Sequence, residues 1–170
     1  MPIVIAAQGG DRDAYAMLYD RFGRLVHAIL LTRVPYDAAA DLAQDVFLHA
    51  WTKLPSLREP AAFGAWIAAI ARRRASDHLR RGPSEVTIED RLPSREAPDV
   101  TAQAAEAIAA IQTLPEAYRE TLVLRLVEGC SGREIAALCG LTEDSVRVNL
   151  HRGFKLLRTR LGARELEHER

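Results

Sequence analysis

The sequence predicts an all-α fold: two small helical domains joined by a flexible acidic linker. Three observations lead there. Apolar residues recur at three- and four-residue steps, with alanine, leucine and arginine dominant. Strand-like alternation is absent. One stretch, GPSEVTIEDRLPSREAPDV (82–100), interrupts the pattern with three prolines, a glycine and no sustained period. At 170 residues and 48% hydrophobic, the chain has the length for one good-sized domain or two small ones, and the apolar mass for their cores. The expected division is a first domain over 1–82, a linker over 83–100, a second domain over 101–163 and a tail over 164–170.

The first helix is expected from about Asp11 to Thr32, where Tyr15, Leu18, Phe22, Leu25, Val26, Ile29 and Leu30 make one apolar stripe. Pro35 stops it. Asp37 then stands as N-cap of a helix over about 38–54, with Leu42, Val46, Ala50 and Leu54 facing inward. A loop, PSLREPA, leads to a third helix over about 62–81, whose stripe is Phe63, Trp66, Ile67, Ile70 and Ala71. That spacing favours a core role for Phe63 and Trp66 over a base-stacking one. The far end, RRRASDHLRR (72–81), is dense in cations, which suits a helix C-terminus. These helices make a three-to-four-helix bundle.

The second domain begins with a helix over about 101–112. Another opens with Pro115 in its first turn and runs to Glu128. Ser131 and Glu134 form a capping box at the start of a third, which ends at Cys139-Gly140 on a left-handed glycine. Thr142 caps a last helix over about 143–161. Helix, tight glycine turn and basic helix together read as a helix-turn-helix. Ile135, Ala136, Leu138, Leu141, Val146 and Leu150 are expected to pack its two helices together. The outer face then presents Arg147, Val148, His151 and Arg152 to a major groove. There arginine can fork onto guanine and Val148 can meet a thymine methyl, with Lys155 and Arg158 near phosphates. Gly153 sits inside this helix at a cost of about 1 kcal/mol relative to alanine, and is expected to admit a close approach.

With these residues in place, the chain resembles a known family. The segment LPEAYRETLVLRLVEGCSGREIAALCGLTEDSVRVNLHRGFKLLRTRL is similar to region 4 of the extracytoplasmic-function (ECF) sigma factors. DLAQDVFLHAW (41–51) is similar to the most recognisable motif of their region 2, and FGAWIAAIARRRASDHLRR (63–81) resembles the segment that meets the −10 element. The resemblance implies a bacterial initiation factor of the sigma-70 family. Such a factor binds core RNA polymerase, directs it to specific promoters and helps melt the −10 region. It implies that Asp41, Gln44, Asp45 and Leu48 face the clamp helices of the polymerase's largest subunit, and that the polymerase flap is a further contact. It assigns the −10 element to Leu57, Arg58 and Glu59, lining a pocket for a flipped base, with Arg72, Arg73, Arg80 and Arg81 as cations. It assigns the −35 element to Arg147, Val148, His151, Arg152 and Lys155. An anti-sigma partner is implied as well. The chain departs from the family pattern where Arg73 replaces an asparagine, Ser76 an isoleucine, and Val148-Asn149 a commoner Ser-Arg pair.

Composition bounds the alternatives. The 23 basic and 23 acidic residues cancel, yet 11 stand against 8 in 1–82, 2 against 6 in 83–106 and 10 against 9 in 107–170. Two basic stretches flank an acidic middle, so the neutral total does not exclude nucleic acid. Cys130 and Cys139 are isolated, which argues against a disulfide scaffold. Neither they nor His27, His49, His78, His151 and His168 have metal-ligand spacing. No phosphate loop, nucleophile elbow or paired-acid motif appears; the resemblance implies an initiation factor that is not an enzyme, and no cofactor or metal is expected. No apolar run approaches the roughly 18–20 residues of a membrane helix. The start, MPIVIAAQGGDRD, lacks a basic n-region, so a cytoplasmic protein without membrane insertion is expected. Two other readings stand beside this one. One is a free helix-turn-helix regulator binding operator DNA as a dimer, with 1–82 as a sensor or oligomerisation domain. The other is a protein-interaction adaptor. DLAQDVFLHAW discriminates, since a repressor needs no polymerase-facing motif.

Overall fold

The computed structural model describes residues 2–81 and 102–168, and the expected linker lies outside them. All regular structure among the described residues is helical, and the chain divides into two units, Met1–Asp99 and Val100–Arg170. The first unit holds α1 (Pro2–Gln8), α2 (Arg12–Leu31), α3 (Tyr36–Lys53) and α4 (Phe63–Arg81). Two 3-10 turns, Leu54–Ser56 and Pro60–Ala62, connect α3 to α4. The second unit holds α5 (Ala102–Gln112), α6 (Glu116–Leu126), α7 (Gly132–Cys139) and α8 (Glu143–His168).

Helix α1 is the element that sequence reading passed over. Seven residues are too few to be helical alone, but Val4 and Ala7 are buried and α1 lies along α2. Gly10, with φ of 92°, turns the chain, and the Asp11 carboxylate then caps α2 by accepting from the N–H groups of Asp13 and Ala14 at 2.9 and 3.0 Å. The predicted stripes of α2 and α3 form the core: Leu18, Leu25, Val26, Ile29, Leu30, Leu42, Val46, Ala50 and Leu54 are all buried. Helix α4 adds Phe63, Ile67, Ala68, Ala71 and Ala75, all fully buried, and the run of alanines lets it lie close to α2 and α3. Phe63 meets Phe22 edge-on at 5.0 Å, while Tyr15 packs on Trp51 at 4.7 Å and donates its hydroxyl to the Phe47 carbonyl at 2.5 Å.

Several helix ends differ from expectation. Helix α3 begins at Tyr36 with Pro35 as its N-cap, so Asp37 lies in the first turn instead of capping it. The Pro35 carbonyl already accepts from the Ala39 N–H at 2.9 Å. Pro115 likewise takes the N-cap of α6 instead of its first turn. That helix stops at Leu126, before Glu128, because Gly129 turns left-handed (φ 67°) and the Cys130 N–H closes onto the Leu124 carbonyl at 2.9 Å. Helix α8 runs past 161 to His168.

The second unit's core is Ile111, Leu114, Leu122, Val123, Leu124, Ile135, Val146, Leu150 and Leu157. Leu141, expected among these, is 38% exposed: it follows the left-handed Gly140, and only its N–H turns back, to the Ala136 carbonyl at 3.0 Å. Gly153 is explained by a neighbour. A methyl group there would stand 3.0 Å from Leu122 Cδ1 and 3.1 Å from its Cγ, and Leu122 is fully buried.

Two outcomes follow from this packing. The overpacking in Gly153→Ala, about 1–3 kcal/mol, outweighs the roughly 1 kcal/mol gained in helix propensity, so denaturant unfolding should report a loss of up to about 2 kcal/mol. The same change in a Leu122→Ala background should be neutral or stabilising. In the first unit, His27 is buried, edge-on to Tyr36 at 5.4 Å, and its Nε2 finds no partner among the described residues. Burial pushes its pKa below the ordinary 6.5. The folded state therefore disfavours the proton that the unfolded chain takes up, and stability falls as pH drops below about 6.5. Thermal unfolding at pH 7.5 and 5.5 should show this slope, and His27→Phe should flatten it.

Candidate nucleic-acid interface

Three surfaces carry the residues singled out in the sequence. The first is a strip along α3. Asp41, Asp45 and Leu48 are exposed and Gln44 is half-buried, while Leu42, Val46 and Ala50 face the core. Positions three and four apart share a helix face, so burial of one set forces the other outward together. Leu48 is 39% exposed, an apolar residue one turn beyond the Asp45 carboxylate.

The second surface is the connection from α3 to α4. Leu57 is half-buried, and Arg58 and Glu59 are exposed. This short segment is braced at both ends. Ser56 Oγ donates to the Lys53 carbonyl at 2.7 Å, and the Leu57 N–H closes onto the Leu54 carbonyl at 3.0 Å. The Glu59 carboxylate accepts from the Ala61 N–H at 3.2 Å and so caps the second 3-10 turn. Gln8 of α1, which sequence reading missed, donates its amide to the Leu54 and Leu57 carbonyls at 3.1 and 2.7 Å. No local pattern could have revealed it, since the partners lie 46 and 49 positions away.

On α4, Arg73 and Arg80 are exposed and Arg72 is half-buried. Arg80 pairs with Asp77, and the backbone of Arg81 ends the helix. Its side chain lies outside the described residues, so the expected Arg81 contact has no placement here. Lys53 and Arg74 join this cationic group, because with Arg73 they act on His49. Desolvation first, then the charges of Arg74, Lys53 and Arg73, hold its pKa below 6.5. Three cations from two helices thus share one field, which a reading of α4 alone could not register.

The third surface is the helix-turn-helix. Ser131 Oγ accepts from the Glu134 N–H at 3.2 Å and Glu134 accepts from the Ser131 N–H at 2.8 Å, a closed capping box on α7. The Ser131 hydroxyl and N–H hold the Glu134 carboxyl below its ordinary range. Gly140 makes the left-handed turn (φ 66°), and Thr142 caps α8 by accepting from the Ser145 N–H at 3.1 Å. With Val146, Leu150, Gly153 and Leu157 buried, Arg147, Val148, His151, Arg152, Lys155 and Arg158 stand exposed on α8. Arg147 pairs with Asp144 at 2.8 Å, both about 80% exposed. Such a pair holds the guanidinium by at most about 1 kcal/mol and yields it readily to a stronger acceptor. Asn149 turns the other way, donating to the Ala117 carbonyl of α6 at 3.2 Å. A helix of about 10–12 Å with side chains fits a major groove of about 12 Å, so this face can read base edges while Lys155 and Arg158 reach phosphates.

No group of three His, Cys, Asp or Glu positioned to hold a metal occurs among the described residues, and no helix there is long and apolar enough to cross a membrane.

Comparison with known proteins places these surfaces in a family. Residues 18–83 match the family model for Sigma-70 region 2, and residues 104–157 match Sigma-70, region 4. The ECF RNA polymerase sigma factor BldN of Streptomyces coelicolor is 30% identical over 168 residues, covering 92% of this chain and 64% of that protein. The RNA polymerase sigma factor CarQ of Myxococcus xanthus is 34% identical over 165 residues, covering 93% and 95%. This chain thus spans just under two thirds of BldN's length and nearly all of CarQ's. A solved structure of CnrH in complex with the cytosolic domain of CnrY aligns with a TM-score of 0.72 at 26% identity, covering 95% of this chain and 96% of that one. The α3 strip and α4 fall in the first matched segment and the helix-turn-helix in the second, in the same order as in these relatives: the chain belongs to the ECF sigma factors of the sigma-70 family.

Proposed function

We propose that this chain works in the cytoplasm as a promoter-specificity subunit. It binds core RNA polymerase, brings it to particular promoters and helps melt the −10 region. The observation that carries this reading is that one chain joins both sigma segments, the α3 strip in the first and the exposed, arginine-bearing face of α8 in the second. A free regulator would need the second and has no use for the first.

In this reading residues 1–82 dock on polymerase and handle the −10 element, 101–163 read the −35 element, 83–100 connect them, and 164–170 form the C-terminal end. Asp41, Gln44, Asp45 and Leu48 offer two carboxylates followed by an apolar contact, the complement of an arginine-bearing helix such as those of the polymerase clamp. The polymerase flap is a second contact. At the −10 element, opening the duplex needs an unstacked base to be held while its phosphates are neutralised. Leu57, Arg58 and Glu59 form the holding loop, and Arg72, Arg73, Arg80 and Arg81 supply charge. Phe63 is fully buried, which favours a supporting role beneath this surface over stacking. At the −35 element Arg147, Val148, His151 and Arg152 meet bases and Lys155 meets phosphate. The chain carries no catalytic function of its own in this scheme. An anti-sigma factor is its regulatory partner, a reading supported by the likeness to CnrH, which was solved with the cytosolic domain of CnrY bound.

Reconstituted transcription tests this. Core polymerase with this chain should start promoter-specific RNA, on promoters identified by sequencing transcripts after induced expression. Asp41→Ala with Asp45→Ala should weaken core binding about ten-fold while leaving unfolding nearly unchanged. Arg147→Ala should lose about 10- to 100-fold at one −35 position and relax specificity there, whereas Lys155→Ala should weaken all sequences alike and lower the salt slope by about one. A chain that starts no RNA with core polymerase yet footprints DNA tightly by itself would be a free regulator.

A further inference from the structure

We infer that Gln8 is a positioning residue for the loop that holds the −10 base, and that α1 anchors that loop. The inference rests on the assignment of Leu57, Arg58 and Glu59 to the −10 element. The matched region 2 segment begins at residue 18, so α1 lies wholly before it.

The geometry is specific. The loop leaves α3 through a single 3-10 turn and reaches the next at Pro60. A primary amide has two hydrogens on one nitrogen, and Gln8 directs Nε2 at two carbonyls, Leu54 at 3.1 Å and Leu57 at 2.7 Å. Those carbonyls stand at the two ends of the turn that the Leu57 N–H closes onto Leu54. One side chain therefore clamps both ends of the turn immediately before Arg58. The clamp has a fixed base: Val4 is fully buried and Ala7 nearly so, and the Asp11 N–H closes onto the Ala6 carbonyl at 3.2 Å, tying α1 to the start of α2. Downstream, the Glu59 carboxylate holds the Ala61 N–H. Leu57, Arg58 and Glu59 are thus spanned by a tether on each side.

The consequence is preorganisation. A loop free to sample many backbone states loses that freedom when it closes on a base, and the loss is charged to promoter opening. Held by Gln8, it has been fixed on folding instead. Loosening the clamp should slow base capture without touching the α3 strip.

The test uses the full chain with core polymerase on a mapped promoter, comparing wild type with Gln8→Met and Gln8→Glu. Methionine keeps the length and helix propensity of glutamine without its donors; glutamate turns an acceptor onto two carbonyls. Open-complex formation, followed by a fluorescent base in the −10 region, should slow about ten-fold in both variants, in proportion to one or two net hydrogen bonds. Discrimination against a wrong −10 base should shrink by a similar factor. Core affinity should stay within about two-fold, as should the rate on a template whose −10 region is already opened by mismatches and carries no −10 sequence. Wild-type opening and discrimination in Gln8→Met would overturn the proposal. So would a uniform loss on all templates that tracks lower core affinity or a lower unfolding midpoint, because the bond would then serve folding only. A wild-type chain that starts no promoter-specific RNA would remove the −10 assignment itself, and this proposal with it.

Discussion

The seat of Leu122 against Gly153 sets how helix α8 is rolled. Helix α8 comes close enough to α6 at this point that the leucine's branch fills the space a methyl group would need. Burying a leucine contributes about 1.5–3 kcal/mol, whereas an exposed pair such as Arg147–Asp144 contributes at most about 1 kcal/mol. The apolar contact therefore decides the roll of the helix and the charged residues follow. Once Val146, Leu150 and Leu157 join Leu122 inside, a period of 3.6 leaves Arg147, Val148, His151, Arg152 and Lys155 on the outside. Asn149 secures the same roll from the flank through the Ala117 carbonyl.

The first unit reaches a comparable result with smaller side chains. Ala39, Ala50, Ala68, Ala71 and Ala75 are fully buried, so α3 and α4 approach closely, and Phe22, Phe63, Tyr15 and Trp51 fill the wider gaps. Close approach brings Arg73 and Arg74 of α4 to act on His49 of α3 beside Lys53, and after desolvation their charges lower the pKa of that imidazole. Cations gathered from two helices suit a phosphate backbone better than the same number spread along one.

Charge is managed locally in a chain whose total is zero. Non-specific affinity grows with the number of phosphates neutralised. A factor meant to read DNA on a polymerase gains from modest patches and loses from a large overall positive field. The acidic stretch of 83–106 offsets the net basic charge of the two flanking segments in the sum.

The sequence by itself determined whatever depends on near neighbours. The capping box of Ser131 and Glu134, the left-handed Gly140 and the Asp41–Asp45–Leu48 strip were legible because each involves residues within one or two helical turns. Helix ends were less so: Pro35 and Pro115 serve at N-cap or first turn with nearly the same local chemistry, and only the backbone bonds made around them separate the two. Helix α1 was invisible, since seven residues carry no readable period and owe their helicity to α2. Tertiary structure alone decided that Gly153 faces Leu122, that Asn149 turns inward, that Lys53 joins the arginines of α4 and that Gln8 clamps the loop. Those contacts join residues from different helices, and chain packing, which no local propensity encodes, sets the distances between them.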